Sequence, residues 1–473
     1  MAEEIKLKIE YFKDTSLHPS LDIKDKILIF GFRYWKKFQQ EENIFLIVKD
    51  GKPEILQEDS FEFEGKKYRI ETKEKKLIHI EERWSMEDLI NFVKEYHEGR
   101  PKICLQAKEM IEKIVNTLKR YGELDKEIDF YLVASYILAT YLFPIFPQFP
   151  FLHFKGVKGC GKSQWLALLE QLCFNGMKTK PSLAVFCDVS NSLRGTWLID
   201  QAQYLKNPSN EELLNLLTDS YKRTGGRRRI MRANKSGGFT PFETETYCPK
   251  IFASVYPLHP DLRDRCLIIP LSKSNKNFPE PTAECEDLRQ TRFQIYRFIT
   301  QNYQIFNSYS TQLEVNYRVK PEITGRELNI WFPFEVILTH CFPEKIPETK
   351  KRFKQLYGFS EFEADELAKE IINSASKLFK ENENQVWVFC KEFVDYLPEE
   401  VWGDENLSEI QKRIRVGKRI DRFNIATETK HTNKGELYLF EKERIERLKE
   451  TYCKEEILEP PLKPNNNSSH SSL

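Results

Sequence analysis

Gly156-Val157-Lys158-Gly159-Cys160-Gly161-Lys162-Ser163 is the stretch on which the reading of this 473-residue chain turns. Its spacing is G-x-x-x-x-G-K-S. Glycines let such a loop curl until its backbone N–H groups face phosphate oxygens, and the dipole of a following helix favours the same anion. Lys162 is the side chain to neutralise the β- and γ-phosphates of ATP, and the Ser163 hydroxyl is the one to ligate Mg²⁺. The setting agrees. Phe151–Phe154 reads as a strand, and Gln164–Cys173 (QWLALLEQLC) reads as a helix, so the cradle runs from Gly156 to Gln164.

Such a loop needs a second acid on a neighbouring strand to hold Mg²⁺ through water. Thr196-Trp197-Leu198-Ile199-Asp200 supplies it, a mostly apolar run that ends in a carboxylate. Many hydrolysing relatives place Glu next, where it polarises the attacking water; here the residue is Gln201. Gln orients a water but cannot take its proton. Hydrolysis is therefore expected to be slow, or to use a base from elsewhere, with Glu243 and Glu245 the nearest acidic candidates. Further on, Lys250-Ile-Phe-Ala-Ser254 is an apolar strand ending in a hydroxyl that could meet the γ-phosphate or the attacking water; a merely buried Ser is the plain alternative. Asp261-Leu-Arg263-Asp264-Arg265 then precedes a closing strand, LIIPL. Arg265, with Arg263 second, is well placed to reach a neighbouring subunit's nucleotide, and a surface salt bridge with Asp261 or Asp264 is the alternative.

Bulk properties narrow the classes. Formal net charge is +1, from 73 basic and 72 acidic residues, which excludes a uniformly basic nucleic-acid sleeve and leaves room only for local patches. Ten cysteines without a CxxC pair suit neither a zinc module nor a disulfide framework and point to a reducing, cytoplasmic setting. The first residues lack the apolar core of a signal peptide. Residues 130–154 carry no formal charge over a bilayer's length, but Pro144, Pro147 and Pro150 interrupt them. A buried helix, a turn and a central strand are expected there, with no membrane partner. The eight His do not cluster, and His97-Glu98 has no partner at metal spacing.

Along the chain, KILIFGFRYW (26–35), NIFLIVKD (43–50), FEFEG (61–65) and KYRIE (67–71) alternate like antiparallel strands. Ser85 is placed to cap a helix over Met86–Tyr96, and Lys108–Tyr121 and Ile128–Tyr141 continue with helical spacing. These readings predict an α/β core of the P-loop NTPase kind, three-layered with a mainly parallel sheet, over 150–272. A small β-rich module (1–85) and a helical lead-in (86–149) precede it. A helical lid (273–380), a winged-helix domain (385–452) and a disordered tail (453–473) follow.

Two basic segments are candidates for DNA, single-stranded or duplex. Gly225–Gly238 carries Arg227, Arg228, Arg229, Arg232 and Lys235, with no acid and glycine pairs at both ends. Phosphate contacts from such a segment are sequence-independent and salt-sensitive. In the C-terminal part, QVWVFCKEFVDYL (385–397) reads as a helix. Leu407–Phe423 is a basic helix with Lys412, Arg415 and Arg419, and a hairpin and a last helix (Lys442–Tyr452) close the unit. That order spells a winged helix, whose basic second helix can enter a major groove.

The series GVKGCGKS, TWLIDQAQYL, YCPKIFASV and LRDRCLIIPL resembles the AAA+-type ATPases of phage, plasmid and integrated-element replication modules. That group includes helicases and the ATPase half of primase–helicases. The resemblance spans roughly residues 125–450. It implies a homo-oligomeric ring such as a hexamer, a hairpin of the 225–238 kind projecting into its pore, and a primase or other replication protein as partner. It also implies that Arg326, in Gly325-Arg326-Glu-Leu-Asn-Ile-Trp331, reaches the γ-phosphate from the lid. Gln201, and Val255 where many such proteins have Asn, depart from the pattern. The expected function is an ATP-driven DNA translocase or helicase in the replication of a mobile element. The alternative is a nucleotide-switched DNA-binding regulator with little turnover. A signalling ATPase lacks an effector or repeat domain here.

Overall fold

Alternation of apolar and polar residues near the N-terminus produces, among the described residues, seven strands: β1 (Thr15–Leu17), β2 (Leu21–Lys24), β3 (Ile27–Trp35), β4 (Glu41–Lys49), β5 (Lys52–Leu56), β6 (Ser60–Phe63) and β7 (Lys66–Ile70). The computed structural model describes residues 15–35, 41–73, 75–77, 83–99, 105–233, 238–319, 323, 325–357, 366–381, 383–402, 407–433 and 435–453. Of the tail expected to be disordered, residues 454–473 lie outside the described residues, as does Lys235. Strands β2 to β5 form an antiparallel meander, and β1-β7-β6 a second sheet with β1 parallel to β7. Because side chains alternate, one face of β3 and β4 (Ile27, Ile29, Phe45, Ile47) packs with Leu17, Tyr68 and Ile70. The other face (Leu28, Phe30, Leu46, Val48) joins the large core of the following domain. The module is therefore built into its neighbour.

Three helices follow: α1 (Met86–His97), α2 (Ala107–Tyr121) and α3 (Glu127–Thr140). Ser85 Oγ accepts from Asp88 N at 3.1 Å, the expected cap. Every residue of α3 from Ile128 to Thr140 is buried, which explains an uncharged stretch of bilayer length in a helix packed inside protein. Among the described residues, no helix is long and apolar enough to cross a membrane.

The central layer comes next. Its elements are β8 (Phe151–Lys155), α4 (Lys162–Leu172), β9 (Met177–Lys178), α5 (Leu183–Leu193), β10 (Trp197–Ile199), α6 (Glu211–Asp219), β11 (Arg227–Ala233), β12 (Phe239–Glu245), β13 (Lys250–Ser254), α7 (Pro260–Arg263) and β14 (Cys266–Pro270). The sheet order is β14-β8-β13-β10-β9, and every pair is parallel. All residues of β8, β13 and β14 are buried, which fits their mostly apolar sequences without alternation. The chain leaves β8 towards one side and returns as β14 on the other. That reversal opens a crevice at the carboxyl ends of the strands, where open α/β sheets bind ligands.

Helices α8 (Glu286–Val319), α9 (Gly325–Cys341) and α10 (Ile346–Tyr357) complete a unit that spans residues 1–362. The only acid buried in α3, Asp129, receives Arg352 of α10 through two contacts of 2.7 and 2.9 Å. The two side chains are 0% and 3% exposed.

A second unit spans residues 363–473. It contains α11 (Glu366–Ser376), β15 (Gln385–Phe389), α12 (Cys390–Asp395), α13 (Glu409–Arg422), β16 (Glu428–Thr432), β17 (Gly435–Glu441) and α14 (Lys442–Tyr452). Helix α11, grouped with the lid in sequence, supplies Leu367, Ile371 and Ile372 to this unit's core. The expected helix over 385–397 is corrected. Its first half is a strand, because the β-branched and aromatic residues Val386, Trp387, Val388 and Phe389 pair with β17. Ser408 and Gln411 form a capping box at the start of α13.

Removing one partner of the buried ion pair strands a charge in the core. Arg352→Met is expected to destabilise the first unit by about 3–5 kcal/mol, measured by urea unfolding. Asp129→Leu added to it should recover most of that loss, and a loss below about 1 kcal/mol for the single change would contradict the clamp.

Candidate functional site

The phosphate-type loop takes the shape its glycines allow. Gly159 and Gly161 have φ of 82° and 85°, the left-handed region. A Cβ at Gly156 would stand 2.3 Å from Leu271 O and 2.6 Å from Cys160 Sγ, so only glycine fits there. Lys162 Nζ curls back over the loop and donates to the carbonyls of Gly156 and Val157, both at 2.6 Å. Ser163 Oγ donates to Asp200 Oδ2 at 2.8 Å, and Asp200 Oδ1 accepts from Gln201 N at 2.7 Å. Lys158 is exposed, Cys160 is buried, and Gln164 Nε2 donates to Pro279 O at 2.6 Å.

Helix α4, which carries Lys162 and Ser163, is anchored at its far end. Arg83 donates to Glu170 O and Gly176 O at 2.9 and 2.7 Å, Arg292 to Gln171 O at 2.9 Å, and Tyr141 to Leu172 O at 2.9 Å. Cationic donors satisfy the last carbonyls and complement the helix dipole. The sheet register does the rest. Lys155 lies level with Ser254, and Phe252 with Ile199, which brings Asp200 to the same edge as the loop. Hydroxyl and carboxylate form an oxygen-only donor set suited to Mg²⁺, beside a loop and an ammonium suited to phosphate. Among the described residues, no group of three or more His, Cys, Asp and Glu could hold a metal ion. A cation here would take its remaining ligands from nucleotide and water.

Ser254 stands at the expected strand end, but it is 0% exposed. Its hydroxyl donates to Tyr256 O at 2.5 Å and lies 2.7 Å from His153 Nε2, so both its contacts are with the chain itself. Sequence reasoning passed over His153. Burial, then Lys155, Lys162 and Arg263, pushes this imidazole down to about 3, so it is neutral. With Ser254 donating to Tyr256, Nε2–H of His153 donates to Ser254. Its Nδ1 is then a buried acceptor without a hydrogen-bond partner among the described residues.

Gln201 sits in the left-handed region, φ 51°, and its Oε1 accepts from Lys180 Nζ at 2.7 Å. Lys178 Nζ lies 3.4 Å from Ser163 O. Both lysines were missed; alternate basic residues in MKTK beside a two-residue edge strand were the available signal. Glu243 and Glu245 are excluded as bases for this site. They lie on β12, which runs into the start of β13, at the sheet edge opposite the loop. Glu243 pairs with Arg227 and Arg229 at 3.5 and 3.0 Å. Glu245 pairs with Arg194 at 2.7 Å and Lys75 at 3.3 Å. Burial acts upward on its carboxyl, but Arg194 and Lys75 prevail and hold it at about 2.

The arginines lie at that opposite edge as well. Arg265 O accepts from Phe151 N at 2.9 Å, at the start of β8, about 13 Å of strand from the loop. Its guanidinium lies 5.9 Å from the Tyr221 ring and donates to Asp261 O. Burial and then Arg326 lower its pKa. Arg326 pairs with Asp264 at 2.9 Å. The lid helix therefore brings Arg326, expected to reach a γ-phosphate from the lid, to the edge where Arg265 stands and not to its own chain's loop.

Strands β11 and β12 make an antiparallel hairpin, with Arg229 opposite Glu243 and Ala233 opposite Phe239. Arg228 pairs with Glu212 of α6. The Arg232 side chain lies outside the described residues. In the second unit, Lys412 Nζ lies 5.1 Å from the Trp402 ring and Arg419 donates to Arg415 O at 3.5 Å; all three cations are half-buried. The outward stripe of α13 is Ile410, Ile414 and Lys418, so its basic residues do not make a continuous outer face.

No family model matches this chain. No curated protein matches it either. Among solved structures, it is similar to the NrS-1 C-terminal region, at 12% identity and TM-score 0.26, over 87% of this chain and 96% of that one. It is similar to an MCM homologue from Methanopyrus kandleri, at 9% identity and TM-score 0.31, over 70% and 77%. It is also similar to a JCV helicase with a bound acetamide compound, at 13% identity and TM-score 0.19, over 58% and 75%. Similarity at this level transfers no function to this chain.

His153 generates a pH dependence. An unfolded imidazole gains its proton near 6.5 and the folded one near 3, so the unfolded state binds more protons between those values and stability falls on acidification. The full shift is worth on the order of 5 kcal/mol. His153→Gln is expected to flatten this loss between pH 6.5 and pH 3 in denaturation curves, and an unchanged acid slope would contradict it.

Proposed function

We propose that this chain is an ATPase that hydrolyses ATP with Mg²⁺ and works on DNA as a helicase-type translocase, as a homo-oligomeric ring such as a hexamer. Its setting in this reading is the replication of a mobile element, phage or plasmid, with a primase or similar protein as partner. The observation that carries the proposal is the division of the site. Gly156–Gln164 and Asp200 occupy one edge of the sheet, while Arg265 and Arg326 occupy the other. Neither arginine can act on its own chain's loop, so both belong to a neighbour's nucleotide. A ring meets that demand.

In this mechanism Lys162 leaves the carbonyls of Gly156 and Val157 for the terminal phosphates, and the loop amides hold the rest of the chain of phosphates. Bound Mg²⁺ offsets charge that builds on the transferred phosphoryl group. Ser163 and Asp200 are the side chains that would hold that cation. The neighbour's Arg265 and Arg326 add positive charge where the transition state spreads negative charge, which couples turnover to assembly. The β11–β12 hairpin, beside the arginine edge, grips the DNA backbone in the pore through Arg227, Arg228 and Arg229, with Arg232 and Lys235 further along. The second unit acts as a winged helix, with Lys412, Arg415 and Arg419 its basic contribution.

One observation favours the second reading, a nucleotide-switched DNA-binding regulator. Gln201 offers no carboxylate, its oxygen is held by Lys180, and Glu243 and Glu245 are paired with arginines at the other edge. ATPase assays separate the two. A motor should turn over several-fold faster with single-stranded DNA, lose activity at least about 100-fold in Lys162→Ala, and lose the stimulation in the triple Arg227, Arg228, Arg229→Ala change. Mixing inactive Asp200→Asn chains with inactive Arg265→Ala chains should restore part of the activity. Negligible turnover with or without DNA, beside ATP-dependent duplex binding, would overturn the motor in favour of the switch.

A further inference from the structure

The hairpin's outer rungs carry something its basic sequence did not suggest. Met231 is 60% exposed and Phe239 is 69% exposed, in a chain whose other large apolar side chains are mostly buried. Met231 faces Pro241 across the ladder and Ala233 faces Phe239, so Met231 and Phe239 are diagonal neighbours on one face of the pleat. Arg227 and Arg229 share that face four and two residues back from Met231 along β11, 55% and 84% exposed.

The stem that holds them out is firmly rooted. Thr246 N donates to Gly226 O at 2.6 Å, and Asn191 Oδ1 accepts from Glu245 N at 2.9 Å. Arg194 and Lys75 clasp the Glu245 carboxylate, and a Cβ at Gly226 would lie 2.7 Å from Tyr247 N, so the base of the hairpin is closely packed against the body. A braced stem that presents guanidiniums first and an aromatic ring beyond them matches a polymer with anions at regular intervals and flat apolar faces between. Single-stranded nucleic acid has both. A duplex hides its base faces within the stack and offers this face only phosphates.

We infer that Phe239, backed by Met231, is a stacking platform for the bases of single-stranded nucleic acid, whose backbone Arg227 and Arg229 hold. The inference rests on the translocase reading and specifies its substrate. Base–aromatic stacking tolerates any sequence, because every base has a π-face, which suits a motor that must pass along arbitrary DNA. The occupant competing for such an apolar surface is the same hairpin of a second copy, and the test separates the two.

The experiment uses the full chain, with fluorescence anisotropy on a labelled oligo(dT) strand and on a base-free deoxyribose-phosphate strand of equal length. Phe239→Ala is expected to weaken oligo(dT) binding about five- to hundred-fold. Phe239→Leu should lose nearly as much, because it keeps an apolar surface without a ring, and Phe239→Trp should bind within a few-fold of wild type. The base-free strand should bind wild type and Phe239→Ala alike, with the same salt slope. Equal oligo(dT) binding by wild type and Phe239→Ala would overturn the platform, as would an equal loss on both strands or a fall in assembly mass with affinity unchanged. A wild-type protein that ignores both strands removes the translocase reading itself, a different outcome from one in which only the ring is dispensable.

Discussion

Everything at the candidate site depends on one contact, the 2.8 Å hydrogen bond from Ser163 Oγ to the Asp200 carboxylate. Its own free energy is modest, because the bond is open to solvent and a hydrogen bond to a charged acceptor contributes about 1.5–3 kcal/mol at best. What matters is the geometry that imposes it. Strand β13 lies between β8 and β10, and a one-residue slip in either pairing would turn the Asp200 side chain to the opposite face. Helix α4 has its start fixed by the glycine loop and its end by Arg83, Arg292 and Tyr141. The hydroxyl and the carboxylate meet because two larger constraints leave them nowhere else to stand.

The same sheet separates the remaining machinery by its length. Arg265, Arg326 and the hairpin stem gather at the amino edge of the strands, with Tyr221 and Glu245 among them. The N-terminal module is part of this edge. Lys75 and Arg194 hold Glu245, and Arg194 also donates to Leu21 O at 2.9 Å, so β2 is linked to the hairpin through one guanidinium. The hairpin stem is thus joined to the module by a guanidinium, and to the strand beside Asp200 through β13. The buried Lys250 reinforces that route, since its ammonium donates to Cys248 O at 2.8 Å under the hairpin.

Legibility in the sequence followed how local each signal was. The loop, the apolar run before Asp200, the Ser85 cap and the alternating strands each depend on residues within a few positions, and the structure has these elements where the patterns put them. Arg326 was expected at a γ-phosphate on resemblance alone, and its local sequence does not say which sheet edge the lid helix visits; the contact with Asp264 does. Glu243 and Glu245 failed for the same reason, being close in sequence to β13 but at its wrong end. Gln385–Phe389 read as a helix because a short apolar run is ambiguous until its partner β17 is known. His153 gave no signal, since an imidazole in a central strand looks like any buried polar residue until its hydroxyl neighbour is seen.

The central claim is tested most directly by the metal dependence of nucleotide binding. Affinity for ATP would be titrated with and without Mg²⁺ in wild type and in Asp200→Ala. Wild type is expected to bind about tenfold or more tighter with Mg²⁺, and Asp200→Ala to bind equally in both buffers while retaining metal-free affinity. An undiminished Mg²⁺ effect in Asp200→Ala would contradict the pairing of Ser163 with Asp200 as the cation's seat.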